Sequence, residues 1–287
     1  MERIVIPAFS REELCEICKT ADIAEACTND HLNMSRYREP FTRDLVGKEF
    51  SCRFDDGSRL RLRFPEVNKV LWSDDGGESF HEEYCEPLKS TAGNVIGVFF
   101  FRRAMLPFEG AYLVFDMDSG YATWVQLTLG SHDDEKYALQ QPHFGEIEGF
   151  GDRRGERHHF ATDLVGKAID WTYNERFTLR HAYVTPSLMI VPDPPREDGS
   201  EDFVFHRFCR GFQAKIREGL MMISFTEQGN RAAVLLIDTK QVRDIGCFFG
   251  VTFAGKLSGL TITAKGGWGG TGLRMGEGFA KPLADGE

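Results

Sequence analysis

Glu227, Tyr173 and Arg207, all in the second half of the chain, have side chains suited to proton transfer and anion binding. Met221, Ile223, Phe225 and Glu227 alternate along one segment, so a strand there carries all four on one face. A carboxyl turned into an apolar barrel has a raised pKa and can act as a general acid. Gln228-Gly229-Asn230 follows at once and reads as a turn, so a solvated strand end is the other placement open to Glu227. Tyr173 shares a face with Trp171 and Ile169. A phenol buried there needs a hydrogen-bond partner, which is Glu227, a ligand or the backbone. In the segment 206–210, His206, Phe208 and Arg210 share one face, and Arg207 and Cys209 the other. An arginine on an inner face can hold a substrate carboxylate bidentately; both arginines on the outside is the plainer alternative. Glu227, Tyr173 and Arg207 are therefore the catalytic candidates, and Trp171, Tyr183, His206, Phe208, Arg210 and Phe225 the candidate lining of a substrate site.

The elements that must position these residues come from an internal repeat. Phe41-Thr-Arg-Asp44-Leu45-Val46-Gly47-Lys48 returns as Phe160-Ala-Thr-Asp163-Leu164-Val165-Gly166-Lys167, an offset of 119 residues. Alternating runs follow each copy: Phe50, Cys52 and Phe54 in the first, Ile169, Trp171 and Tyr173 in the second. Each turns, at Asp55-Asp56-Gly57 and Asn174-Glu175-Arg176, and returns with Leu60, Leu62, Phe64 and with Leu179, His181, Tyr183. Period-two alternation around a tight turn predicts a β-hairpin with one buried face. Further strand-like runs at about ten-residue spacing predict an all-β chain of two tandem lipocalin-like barrels. The expected division is an N-terminal helical extension over 1–40, one barrel over 41–150, a second over 158–265 and a loose Gly-rich tail over 266–287. Ser131 to Arg157, rich in Asp, Glu, Gly and Arg, reads as the boundary. At the positions of Trp171 and Tyr173 the first copy has Cys52 and Phe54, with Arg102 and Arg103 as its charged candidates. Any chemistry is therefore expected in the second barrel, with the first as structural partner or lid.

Within the extension, Ser10-x-x-Glu13 is a capping box that predicts one helix over residues 10–27. Cys15-x-x-Cys18 within it lacks a second ligand pair and reads as ordinary helix. The seven cysteines are scattered and odd in number, and no leader is visible at Met1, so reduced thiols and the cytoplasm are expected. The 287 residues, 41% hydrophobic and 27% charged, describe a globular chain. A net charge of −10 argues against nucleic acid or an anionic membrane as partner. The basic run Arg153-Arg154-Gly-Glu-Arg157-His158-His159 reads as a solvated linker. No nucleophile elbow, dinucleotide fingerprint, P-loop or ligand-spaced metal set is present, so neither a cofactor nor a metal is expected.

The second copy resembles the C-terminal half of the MoaF family, proteins associated with molybdenum cofactor biosynthesis, through Leu164-Val-Gly-Lys-Ala-Ile-Asp-Trp-Thr-Tyr173, Ala214-Lys-Ile-Arg-Glu218, Val234-Leu-Leu-Ile-Asp238 and Ile245-Gly-Cys-Phe-Phe-Gly250. The first resembles the N-terminal half through Leu45-Val-Gly-Lys48, Phe54-Asp-Asp-Gly57 and Leu71-Trp72. The resemblance covers about residues 41 to 252 and implies lipocalin-like barrels. A second resemblance is to bacterial phenolic acid decarboxylases, through Gly166-x-x-x-x-Trp171-Thr-Tyr173, Glu218-Gly219 and Ser224-Phe-Thr-Glu227; it implies Glu227 as proton donor and Arg207 as the upstream arginine. One of that family's two tyrosines is Trp171 here. Two functions are expected from these readings. One is a cofactor-free lyase, isomerase or cyclase acting on a small aromatic or conjugated ligand. The other is a non-catalytic lipocalin-like binding or accessory protein linked to molybdenum cofactor biosynthesis. A homodimer is left open.

Overall fold

The computed structural model describes residues 9–269 other than 31, 104–106, 132–137, 152, 193–205, 228–229 and 253; the side chains of 192, 206, 207 and 227 also lie outside the described set. Two closed, eight-stranded antiparallel barrels follow one another. The first runs β1 (Glu49–Phe54), β2 (Arg59–Glu66), β3 (Lys69–Ser73), β4 (His81–Lys89), β5 (Val95–Phe101), β6 (Glu109–Asp116), β7 (Tyr121–Thr128) and β8 (Leu139–Ile147). Each strand pairs with the next, and β1 closes on β8. A short β9 (His159–Phe160) leads into the second: β10 (Ala168–Asn174), β11 (Phe177–Thr185), β12 (Leu188–Pro192), β13 (His206–Arg217), β14 (Leu220–Glu227), β15 (Asn230–Asp238), β16 (Arg243–Val251) and β17 (Leu257–Trp268), with β10 closing on β17. One edge of β13 pairs with β12 at 206–210 and with β9 at 214–215.

The repeated motif makes the same turn twice. Gly47 and Gly166 take φ of 78° and 79°, a left-handed conformation that glycine adopts at no steric cost. Gly47 N donates to Phe64 O (2.7 Å), and Gly166 N donates to Tyr183 O (2.8 Å). Leu45 and Leu164 are buried, each in its own barrel's interior cluster. All the alternating residues named above are buried as well, so both hairpins form in the expected register.

β5 and β6 are buried along their whole length. Antiparallel strands usually keep one wet face, but here the second barrel covers the outer wall of the first. Ile96, Val98 and Phe100 fill the first barrel. Val95, Phe99 and Phe101 point outward into a shared layer with Ala214, Met222, Val234, Cys247 and Phe249 from the second barrel's wall. Phe99 and Phe101 lie 6.0 and 6.1 Å from Phe249 between ring centroids. One carboxylate is buried there too. Glu86 of β4 accepts from Thr261 N (2.6 Å) and Thr261 Oγ1 (2.7 Å) of β17, and pairs with Arg38 (3.3 Å). Burial raises the Glu86 pKa against these partners.

Four expectations change. The N-terminal helix is two, α1 (Arg11–Thr20) and α2 (Ile23–Thr28). The Ser10–Glu13 capping box forms, but Asp22 then caps a new helix by accepting from Ala24 N (2.8 Å), with Ala21 extended between them. Leu14, Cys18, Ala26 and Cys27 seal one side of the shared layer, and burial pushes the Cys18 thiol up to about 12. The boundary segment contains β8, the closing strand of the first barrel. The glycines at 266 and 267 belong to β17 and not to a tail; a Cβ on Gly266 would stand 2.7 Å from the Trp171 indole, so glycine there makes room for the ring. The basic linker is pinned, with Arg153 and Arg157 paired to Glu146 and Asp55, and His158 bonded to Thr123 Oγ1 (2.7 Å). Burial pushes His158 down to about 3, so it sits neutral in the wall. Among the described residues no helix is long and apolar enough to cross a membrane.

Because the shared layer belongs to both barrels, Phe249→Ala is expected to lower stability by about 3–5 kcal/mol. Urea unfolding followed separately by tryptophan fluorescence and far-UV circular dichroism should keep one coincident transition; two separated transitions would contradict the shared core.

Candidate functional site

The interiors of the two barrels have diverged in one direction. At equivalent hairpin positions the first has Cys52, Phe54, Leu62 and Phe64, and the second has Trp171, Tyr173, His181 and Tyr183. A fifth exchange lies across the closing seam. Arg53 aligns through Glu146 with Tyr121, and Thr172 aligns through Lys265 with Arg243. The next inward positions are Phe54 and Ala122 in the first barrel, and Tyr173 and Asp244 in the second. All five second-barrel residues are buried.

Asp244 is the chemical centre of this group. Its Oδ1 accepts from Ala264 N at 2.5 Å. The Tyr173 hydroxyl lies beside it as a hydrogen-bond donor. Burial pushes the Asp244 carboxyl up to about 7, against the opposing pull of the Ala264 N–H, the Tyr173 hydroxyl and the Arg243 charge. A carboxyl that titrates at neutrality can both give and take a proton. Tyr183 lies buried in the same cluster as Trp171, and burial pushes its phenol pKa up. His181 stands edge-on to Phe225 (5.5 Å) and to Tyr183 (6.4 Å).

The candidates read from the sequence divide three ways. Tyr173, Trp171, Tyr183 and Phe225 are buried in the second barrel's interior. Phe208, 67% exposed, and Arg210 face solvent, because Cys209 and not its neighbours turns inward on β13; neither lines the interior, which corrects that expectation. The side chains of Glu227, His206 and Arg207 lie outside the described residues. Their backbones sit in strands, Glu227 opposite Arg231 at the end of β14 and Arg207 opposite Val191. Asp244 was missed because Arg243-Asp244 follows a turn and reads as its solvated edge; only the barrel's stagger carries it to Tyr173.

The space beside Tyr183, Cys209, Gln213, Ile223 and Phe225 amounts to about 10 Å³, room for one water molecule at most. Met34, from the segment after α2, packs into the same cluster, and Asn174 Nδ2 donates to Leu32 O (2.9 Å) and Asn33 O (3.0 Å) to hold that segment in place. Among the described residues no group of three or more His, Cys, Asp or Glu side chains is placed to hold a metal ion. No protein-family model matches the chain, and no curated protein matches it.

The raised carboxyl makes a prediction about stability. Unfolded, Asp244 releases its proton near pH 4, whereas folded it keeps it to about pH 7. Its contribution is therefore fully present below pH 4 and is lost as pH rises towards 7. At 1.36 kcal/mol per unit the loss approaches 4 kcal/mol, to order of magnitude. Asp244→Asn is expected to remove this slope, so that the variant gains on the wild type between pH 4 and 7 in urea titrations. Parallel curves across that range would show that Asp244 is not the buried acid.

Proposed function

We propose that the C-terminal barrel is the active half of a cofactor-free acid/base enzyme, of lyase, isomerase or cyclase type, for a small aromatic or conjugated molecule. The observation that carries this reading is the one-sided divergence of the duplicated barrels: apolar residues in the first are replaced by Trp171, Tyr173, His181, Tyr183 and Asp244 in the second. Buried polar groups are costly unless satisfied, so five such exchanges converging in one barrel are hard to explain by packing. In this reading Asp244 takes the role that the sequence assigned to Glu227. Protonated, it donates to the conjugated substrate; ionised, it recovers a proton from a neighbouring carbon. A proton relocated in this way needs no redox partner. Tyr173 holds Asp244 in place, and the aromatic walls of Trp171, Tyr183 and Phe225 suit a planar ligand.

A second reading, a non-catalytic lipocalin-like binding or accessory protein with the molybdenum-cofactor link that the MoaF resemblance implies, rests on the closed antiparallel barrels themselves.

A thermal-shift screen against aromatic acids and pterins should yield a ligand that raises the melting temperature, since one held at a hundred times its Kd stabilises the fold by about 2.7 kcal/mol. With that ligand as substrate, Asp244→Asn is expected to lower turnover by roughly 10²–10⁴-fold while binding persists. Tyr173→Phe should have a smaller effect on turnover. Binding without any conversion would put the carrier reading in front, and turnover unchanged in Asp244→Asn would remove Asp244 from the chemistry.

A further inference from the structure

The wall of the second barrel has a seam. Along one edge of β13, residues 206–210 pair with β12 and residues 214–215 pair with β9, so Gly211, Phe212 and Gln213 fall between two ladders. Single hydrogen bonds hold the edge there. Gly211 N donates to Ser187 O (3.1 Å), and Ala161 N donates to Gln213 O (3.1 Å). The cavity of about 10 Å³ noted above lies at this seam and is lined from both sides of the wall. Tyr183, Cys209 and Phe225 belong to the buried interior cluster, whereas Pro186 and Ser187 are exposed. The cavity therefore runs from solvent through the wall to the interior.

Two of the side chains that line it carry a buried polar atom with no partner among the described residues: Gln213 Oε1 and Tyr183 Oη. Gln213 is 5% exposed and Tyr183 2%, so bulk water reaches neither freely. The orientation of the Gln213 amide is fixed. Its Nε2 donates to Thr185 O (3.1 Å), and the flipped amide would set oxygen against that carbonyl oxygen. Oε1 is therefore the atom left over, and as an acceptor it needs a donor. The Tyr183 phenol, which burial keeps protonated, has a proton to give. Native proteins leave few such groups unsatisfied, and two on one cavity mark a place where another molecule completes the bonding. The molecule must donate to Gln213, accept from Tyr183 and fit about 10 Å³. Water meets all three conditions.

We propose that this seam is a side port of the second barrel, in which one ordered water bridges Gln213 Oε1 and Tyr183 Oη and beside which solvent reaches the interior. Proton supply to Asp244 through the port rests on the acid/base reading above; the port itself does not, and its test needs no substrate. The Cys209 thiol lies on the inner side of the port and reports on it. The intact protein is treated with methyl methanethiosulfonate, and each cysteine is followed by peptide mass spectrometry. Gln213→Ala should raise the Cys209 labelling rate at least about tenfold, while Cys52 inside the first barrel and Cys247 in the shared layer keep their rates. Ser187→Trp, which puts a large side chain on the exposed outer rim, should slow Cys209 by about fivefold. A crystal structure that resolves waters should place one within about 3.2 Å of both Gln213 Oε1 and Tyr183 Oη. A Cys209 rate unchanged in either variant overturns the port. So does a rise in Gln213→Ala that Cys52 and Cys247 share, since it reports loosening of the whole fold. No water on the two atoms in the crystal structure overturns the bridge.

Discussion

Everything else in this molecule is arranged around the wall where one barrel lies on the other. Phe99, Phe101 and Phe249 meet in a layer that neither barrel could leave open to water, since an apolar face of this extent on a monomer invites association. The layer explains the fully buried β5 and β6 and the position of α1 and α2 along its margin. It also explains why Glu86 is tolerated: the N–H and hydroxyl of Thr261 supply the hydrogen bonds that water would otherwise make. The pinned linker follows from the same constraint. Arg153 and Arg157 tie the connection to the first barrel.

A shared wall leaves the barrel interiors and ends free to differ, and they have differed in opposite ways. The second barrel has taken polar groups inside, and Met34 packs into the same cluster. The first has kept an apolar interior and set its polar groups at the mouth, in the stack of Trp72, Arg102, Trp124 and His143. Desolvation acts on both arrangements. It raises Asp244 towards neutrality in one, while in the other it lowers the Arg102 pKa against the pull of Glu109 and Asp74.

Much of the fold was legible because its signals are local. The Asp-Leu-Val-Gly-Lys turn and the alternation after it are written in adjacent residues, and Gly47 and Gly166 allow the left-handed backbone that the turn requires. β8 was not legible, because Leu139-Gln-Gln-Pro-His143-Phe-Gly-Glu-Ile147 shows no apolar alternation; its pairing with β7 and β1 supplies what its side chains do not. The helix break at Ala21 had a visible sign in Asp22, which the continuous apolar pattern concealed. Of the site, Tyr173, Trp171, Tyr183 and Phe225 could be placed by period two alone. Asp244 and the mouth stack could not, since the residues that meet there come from distant strands and their register is a property of the closed barrel.

The order in which the chain is made gives the covered wall a further meaning. The first barrel is complete at Ile147, while the strand residues that cover it, from Ala214 to Leu257, follow up to about a hundred residues later. At a synthesis rate of about 5–20 residues per second, the outward apolar ridge of Val95, Phe99 and Phe101 stays bare on the ribosome for roughly ten seconds. That interval is long compared with the microseconds a hydrophobic collapse requires. The nascent N-terminal half is therefore the stage at which this protein is most open to holding chaperones and to sticking to its neighbours, and it leaves that stage only when its own duplicate arrives.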